Sequence, residues 1–151
     1  VKKAKPQKEY DALVTEMLKE SDLISAQEFC PSEYDWRIGV IDNKVFYACK
    51  YYMAKGHWQI YNWNTKNKKE QDGDVVCLPI EDVPAVIIDI ALKSANFMGL
   101  GLYGIDIKVL DNKLKVIEIN DNPNIDFGVE DAHYGDLVYT EILAAFKKRL
   151  A

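Results

Sequence analysis

Histidine is nearly absent from this chain, and cysteine is sparse and scattered. The 151 residues carry only two histidines, His57 and His133, and three cysteines, Cys30, Cys49 and Cys77. No Cys-x-x-Cys pair exists and no histidine stands at metal-ligand spacing from a cysteine, which excludes the common zinc modules and a dithiol redox motif. The reading that follows is three free thiols in a reducing compartment. No Ser-His-Asp or Cys-His constellation supports nucleophilic hydrolysis. No apolar run reaches the roughly 18–20 residues that span a bilayer, so no membrane partner is expected. The opening Val1-Lys-Lys-Ala-Lys-Pro6 has no apolar h-region, so a signal peptide is not expected and the location expected is cytoplasmic. A basic excess is also missing. The net charge of −5 argues against direct nucleic-acid binding, which needs a positive footprint. With 48% hydrophobic and 28% charged residues, the chain reads as one soluble globular domain over 1–151 with a sizeable core.

The most informative stretch is 104–123, Gly-Ile-Asp-Ile-Lys-Val-Leu-Asp-Asn-Lys-Leu-Lys-Val-Ile-Glu-Ile-Asn-Asp-Asn-Pro. Two β-branched runs, 105–110 and 114–119, flank Asp111-Asn112-Lys113, and Asp and Asn tolerate the positive φ of tight turns. With those three residues as the loop, pairing is symmetric about Asn112. Asp106 then faces Glu118, and Asn120 shares their side of the sheet. Ile105, Ile107, Val109, Ile117 and Ile119 form the opposite, buried face. Like charges directly across strands repel. A divalent cation would remove that repulsion, and carboxylate and amide oxygens are the hard ligands Mg²⁺ takes. The alternative is a solvated hairpin edge with two hydrated acids. A two-residue turn would shift the register by one and break the argument.

Elsewhere the pattern predicts a helix over 6–20 with Tyr10, Leu13, Val14, Met17 and Leu18 on one face. A short strand is predicted over Leu23–Cys30, and a second hairpin from Asp35–Ile41, a turn at Asp42-Asn43-Lys44, and Val45–Met53. Arg37 would offer a planar fork to phosphate or carboxylate oxygens; the alternative is a salt bridge to Asp35 or Glu33. Residues 48–63 are rich in aromatics, which stack on single-stranded nucleic acid in other proteins, but the surroundings are acidic. The polar run 64–74 reads as a flexible loop. A second helix follows, capped by Asp82 and started by Pro84, with Ile87, Ile88, Ala91, Ala95 and Met98 buried. A last helix capped by Asp136 buries Val138, Tyr139, Ile142, Phe146 and Leu150, and its Lys147, Lys148 and Arg149 suit the C-terminal dipole. The oxygen-rich loop 120–131 does not fit the EF-hand template.

Gly104-Ile-Asp106-Ile, followed by Val-Ile-Glu118-Ile-Asn120-Asp-Asn-Pro123, resembles the closing motif of ATP-grasp ligases, and Asp35-x-Arg37 matches the Asp-x-Arg of their RimK-like members. The resemblance covers nearly the whole chain, from about Leu23 onward, yet only the C-terminal part of the complete fold. The glycine-rich loop and lysine-bearing strands that precede it in the family are absent. The chain is therefore expected to be a fragment of a longer enzyme.

The resemblance implies an α+β fold: a mostly antiparallel sheet of two long hairpins and one or two shorter strands, packed by about three helices. It implies ATP-dependent carboxylate–amine ligation through an acylphosphate, with an amino acid such as glutamate added to a peptide or protein acceptor. ATP and Mg²⁺ are the implied cofactors, with Mn²⁺ as a substitute. The implied metal ligands are Asp106, Glu118 and Asn120. Gln27, Glu28, Phe29 and Cys30 match the segment whose backbone meets the adenine edge, and Glu33 is placed near a ribose hydroxyl. Arg37 and Lys50 are the implied charge-stabilising residues. Asn122, Asn124 and Asp126 are candidates for acceptor contact, with Asx-turns as the alternative. RimK itself carries more arginines where Tyr51-Tyr52 and His57-Trp58-Gln59 stand, which leaves the substrates open. Glutathione-synthase-like or D-alanine-ligase-like chemistry remains an alternative, as does a non-catalytic nucleotide- or metal-binding module. An oligomer through the rest of the enzyme also stays open.

Overall fold

The computed structural model describes residues 1–67 and 70–150; positions 68 and 69 of the predicted loop at 64–74 lie outside the described residues. The chain divides into two compact units, residues 1–30 and the unit that begins at Pro31.

The first unit holds α1, Gln7–Met17, entered from Pro6. Pro6 lacks the N–H that a helix start would leave unused anyway, and its carbonyl accepts the N–H groups of Glu9 and Tyr10. The helix is shorter than the predicted 6–20. Its apolar stripe is half-buried at most, with Tyr10 and Leu18 exposed. The strand predicted over Leu23–Cys30 does not form. The segment has no ladder, since among the described residues this unit contains no second strand to pair with.

The second unit is built on a five-stranded sheet in the order β3-β2-β1-β4-β5, with every neighbouring pair antiparallel. β1 is Tyr34–Ile41, β2 Lys44–Tyr52, β3 Val75–Cys77, β4 Leu102–Leu110 and β5 Lys113–Asn120. β1–β2 and β4–β5 are the two expected hairpins. α2, Ala85–Met98, and α3, Asp136–Leu150, complete the unit, and the α+β architecture is as the sequence implies.

Both hairpins use one device. Asp42-Asn43 and Asp111-Asn112 all have positive φ, between 47° and 62°, the type I′ conformation whose twist matches that of paired strands. Ile41 therefore pairs with Lys44, and Leu110 with Lys113. The loops have two residues, not three. Taken alone this would move Asp106 away from Glu118. A bulge intervenes: Ile107 pairs with Val116 while Asp106 pairs with Glu118, so β5 inserts Ile117 as one additional residue and the register returns to the expected one. β2 inserts Phe46 in the same way, between Val45 facing Val40 and Tyr47 facing Gly39.

One face of the sheet packs on α2. Trp36, Ile38, Val40, Tyr103, Ile105 and Ile107 meet Ile87, Ala91 and Ala95 there, an arrangement that removes each large side chain from water at a gain of about 1.5–3 kcal/mol. α2 starts differently from expectation. Asp82 belongs to a 3-10 turn, Ile80–Asp82, and does not cap the helix; Pro84 is the N-cap with no side-chain bond. Proline presets φ near −54°, and its carbonyl receives Ile87 and Ile88 N–H. Gly99, with φ 93°, ends the helix, and Met98, expected inside, is exposed. Val109 is also exposed, because it lies at the turn end of its hairpin.

α3 packs on the other face through its first half. Val138 is buried, and Ile142 is half-buried against Ile41, Phe46, Tyr47 and Tyr51. Phe146 and Leu150, expected to be buried, are exposed. Asp136 is the first residue of the helix. Ion pairs Lys44–Glu141 (2.9 Å) and Arg149–Asp42 tie α3 to the first hairpin turn.

The free-thiol expectation is corrected at two positions. Cys49 and Cys77 stand directly opposite one another on β2 and β3 and form a disulfide; the register brings together cysteines that are 28 residues apart in sequence. Cys30, which is buried, is not part of a disulfide.

On the α3 face two glycines lie side by side, Gly39 on β1 and Gly104 on β4. The Tyr47 ring lies over Gly39, where an added Cβ would meet it at 2.2 Å, and Pro123 lies over Gly104, where a Cβ would meet its ring at 2.8 Å. Gly39→Ala is expected to cost about 1–3 kcal/mol through overpacking, read as a lower urea midpoint at unchanged m-value. An unchanged midpoint would show that the Tyr47 ring moves aside freely.

Candidate active site

The sheet register sets five residues in one row: Cys77, Cys49, Arg37, Asp106 and Glu118. Directly paired residues share a face, so Arg37, Asp106 and Glu118 project together on the side opposite α2. The neighbouring row on that face is Tyr47, Gly39, Gly104 and Asn120. Three predicted metal ligands and the predicted arginine are thus brought together by three strands, β1, β4 and β5.

Arg37 grips Asp106 with both arms of its fork, Nε to Oδ1 at 2.8 Å and Nη2 to Oδ2 at 2.7 Å. Both side chains are mostly shielded, at 17% and 16% exposure. Burial works against the charged guanidinium, yet the hydrogen bonds and charge of Asp106 outweigh it and hold the group above its ordinary value. Arg37 therefore pairs with neither Asp35 nor Glu33. Asp35 pairs instead with Lys108 at 2.5 Å and accepts a hydrogen bond from Ser32 Oγ. The two bridges join the same strands with opposite polarity.

This ion pair changes the electrostatic argument for a metal. Asp106 is already balanced by Arg37, so its repulsion of Glu118 is reduced without a cation. Glu118 is exposed and has no hydrogen-bond or ion-pair partner among the described residues. Asn120 Oδ1 accepts the Asn122 N–H at 3.0 Å, which fixes the amide's attitude and leaves its second lone pair. Among the described residues no group of three or more His, Cys, Asp or Glu gathers as a metal site. Two carboxylates and one amide oxygen, all on one face, do fit a hard divalent cation that completes its shell with phosphate and water oxygens.

Tyr51 and Tyr47 floor the site beside Arg37. The Arg37 guanidinium carbon lies 5.0 Å from the Tyr51 ring centroid, within cation–π range. The Tyr51 hydroxyl donates to Glu130 Oε1. Glu130 Oε2 accepts the Asp126 N–H at 2.7 Å. Burial first, and then the hydrogen bond to Glu130, pushes the Tyr51 hydroxyl well above its ordinary value. Burial and the charge of Glu130 do the same to Tyr47, against the pull of Arg37. Among the described residues the buried Tyr47 hydroxyl has no hydrogen-bond partner. Neither Glu130 nor the two tyrosines carries a motif that would mark it in the sequence.

The remaining predicted residues are dispersed. Lys50 pairs with Trp36 and so projects from the α2 face, where its Nζ lies 4.6 Å and 4.9 Å from the Tyr34 and Trp36 ring centroids. It does not join Arg37. Asn122, Asn124 and Asp126 are exposed along the loop after β5. The Asx-turn there is made by Asn120 rather than by these three. Glu33 is exposed, and its carbonyl accepts the Met53 N–H. Gln27, Glu28, Phe29 and Cys30 belong to the first unit, where Lys3 Nζ lies 3.0 Å from the Phe29 ring centroid.

No protein-family model and no curated protein matches the chain. Solved structures do. The D-alanine–D-alanine ligase of Bacillus anthracis, in complex with ATP, superposes with a TM-score of 0.62 at 15% identity over 98% of this chain and 51% of its own. The ATP-grasp ligase PsnB, with Mg, ADP and a phosphomimetic variant of its minimal precursor, superposes with a TM-score of 0.54 at 21% identity over 78% of this chain and 34% of its own. The fold is that of the ATP-grasp ligases. The chain spans about a third of PsnB and half of the D-alanine ligase, and at these identities the likeness is one of fold.

The tyrosines make stability depend on pH. Their folded values lie above the ordinary value of about 10, so above that pH the unfolded chain loses protons that the folded chain keeps. Stability is complete below about pH 10 and falls as pH rises further. Urea midpoints from pH 8 to 11 are expected to decline above 10, with a shallower decline in Tyr51→Phe. Identical slopes in the two proteins would remove Tyr51 from this linkage.

Proposed function

We propose that this chain is the C-terminal part of a RimK-like ATP-grasp ligase that joins the amine of an amino acid such as glutamate to a carboxylate on a peptide or protein. The observation that carries this reading is the row Arg37–Asp106–Glu118 with Asn120 beside it, on the sheet face away from α2. In the proposed reaction the acceptor carboxylate takes the γ-phosphoryl group of ATP and ADP leaves; the amine then attacks the acyl carbon and phosphate departs. Asp106, Glu118 and Asn120 would hold Mg²⁺, which when bound screens the triphosphate charge. Arg37 would meet the charge on the transferring phosphoryl group and on the tetrahedral species with the Nη1 edge that Asp106 does not use. No side-chain nucleophile is needed, because the work is positioning and charge stabilisation. Lys50 is left out of this role by its place on the other face. Asn122, Asn124 and Asp126 would meet the acceptor, and Glu33 would meet the nucleotide.

PsnB is described with a bound precursor peptide, which supports a peptide acceptor here. The superposition on a D-alanine ligase keeps the smaller-substrate chemistry as the second reading. The two are separated by supplying the complete enzyme with ATP, an amino acid, and either a carboxylate-bearing peptide or D-alanine, and following ADP release.

Two results are expected. Calorimetry of the chain with Mg²⁺–ADP should show binding that Glu118→Gln with Asp106→Asn abolishes; equal binding in both proteins would overturn the ligand assignment. Asparagine is preferred to alanine at 106 because stripping a shielded arginine of its partner destabilises by about 3–5 kcal/mol. In the complete enzyme, Glu118→Gln should lower kcat by about two orders of magnitude, the scale of removing one preorganised charge-stabilising group. The isolated 151-residue chain should show no ligase turnover, and robust ATP-dependent ligation by it would contradict the reading of a partial domain.

A further inference from the structure

Glu130 is almost fully buried, with 1% of its surface exposed. Among the described residues no lysine, arginine or histidine lies within ion-pair distance of it. Such burial is costly unless hydrogen bonds repay it. Its two oxygens reach in different directions, one to the Tyr51 hydroxyl on β2 and one to the Asp126 N–H in the loop that follows β5. The Tyr51 ring, only 5% exposed, carries the Arg37 guanidinium. Packing alone requires none of this. Phenylalanine at 51 would fill the same volume, and an apolar residue at 130 would suit a buried position better.

We propose that Glu130 and Tyr51 are positioning residues for Arg37: the buried carboxylate fixes the Tyr51 ring as the platform beneath the guanidinium and fastens the 121–131 loop to the same platform. The Asp106 fork sets the plane of the guanidinium, and the ring sets which way its free edge turns. The loop that carries Asn122, Asn124 and Asp126 is then held at a fixed relation to the cation. The consequence for catalysis rests on the ligase reading; the mechanical coupling does not.

The test uses Tyr51→Phe, which keeps the ring, and Glu130→Gln, which keeps size and an acceptor for Asp126. Hydrogen exchange is followed by NMR at Arg37 Nε–H and Asp126 N–H, with the Ile38 and Ile105 amides as core references. Arg37 Nε–H is expected to exchange about tenfold faster in both variants, the scale of one lost buried hydrogen bond, with Ile38 and Ile105 unchanged. Wild-type exchange at Arg37 in Tyr51→Phe would overturn the proposal. So would equal acceleration at all four sites, which would mean the pair merely stabilises the fold. In the complete enzyme, Tyr51→Phe should lower kcat while the KM for ATP stays within about twofold, the signature of an interaction used after nucleotide binding. Faster Arg37 exchange in the variants, together with a complete enzyme that shows no ATP-dependent ligation, would leave the coupling standing and remove the ligase reading.

Discussion

The bidentate bond between Arg37 and Asp106 joins residues 69 positions apart in the chain, and most of the site follows from it. It pins the one register between β1 and β4 that brings the two hairpins into a single sheet with their functional rows aligned. A slip of one residue would send Arg37 or Asp106 to the α2 face and break the pair. The second bridge, Asp35 to Lys108, reverses the polarity two residues along. Sliding the strands by two would then set arginine against lysine, or aspartate against aspartate, so the pair of bridges selects against the nearest wrong register that keeps the faces correct.

Much of this was legible in the chain, though not always for the right reason. The hairpin at 104–120 could be read from β-branched runs about an Asp-Asn turn, and so could the pairing of Asp106 with Glu118. The turn pattern suggests three loop residues where two form, and the bulge at Ile117 restores the pairing that the shorter loop would remove. Bulges leave little trace in sequence, because they depend on local twist rather than on residue type. The disulfide escaped notice for a similar reason. Cys49 and Cys77 become neighbours only once β3 is laid beside β2, a long-range event that spacing does not encode. Lys50 stands on the face opposite Arg37, as strand alternation and the hairpin pairing require. Glu130 was invisible since a single glutamate in a polar loop usually stays solvated.

Fold and function rest on different ground. Superposition over nearly the whole chain on a D-alanine ligase establishes the architecture. At such low identity the likeness is one of fold, because chemistry on a shared fold is set by side chains at the site. Here those side chains are two carboxylates, one amide oxygen and one guanidinium, and the oxygens are the kind a hard divalent cation takes.

The contact between Tyr47 and Gly39 bears on how this sheet is able to change over generations. An added methyl at 39 would overlap the aromatic ring, so position 39 gains a side chain only after position 47 has given one up. The order of substitutions is constrained in one direction: a smaller residue at 47 first, at the expense of a cavity beside Arg37, and then occupation of 39. Relatives that bear a side chain at this strand position should therefore lack the tyrosine, and the floor beneath their arginine should be built from something else.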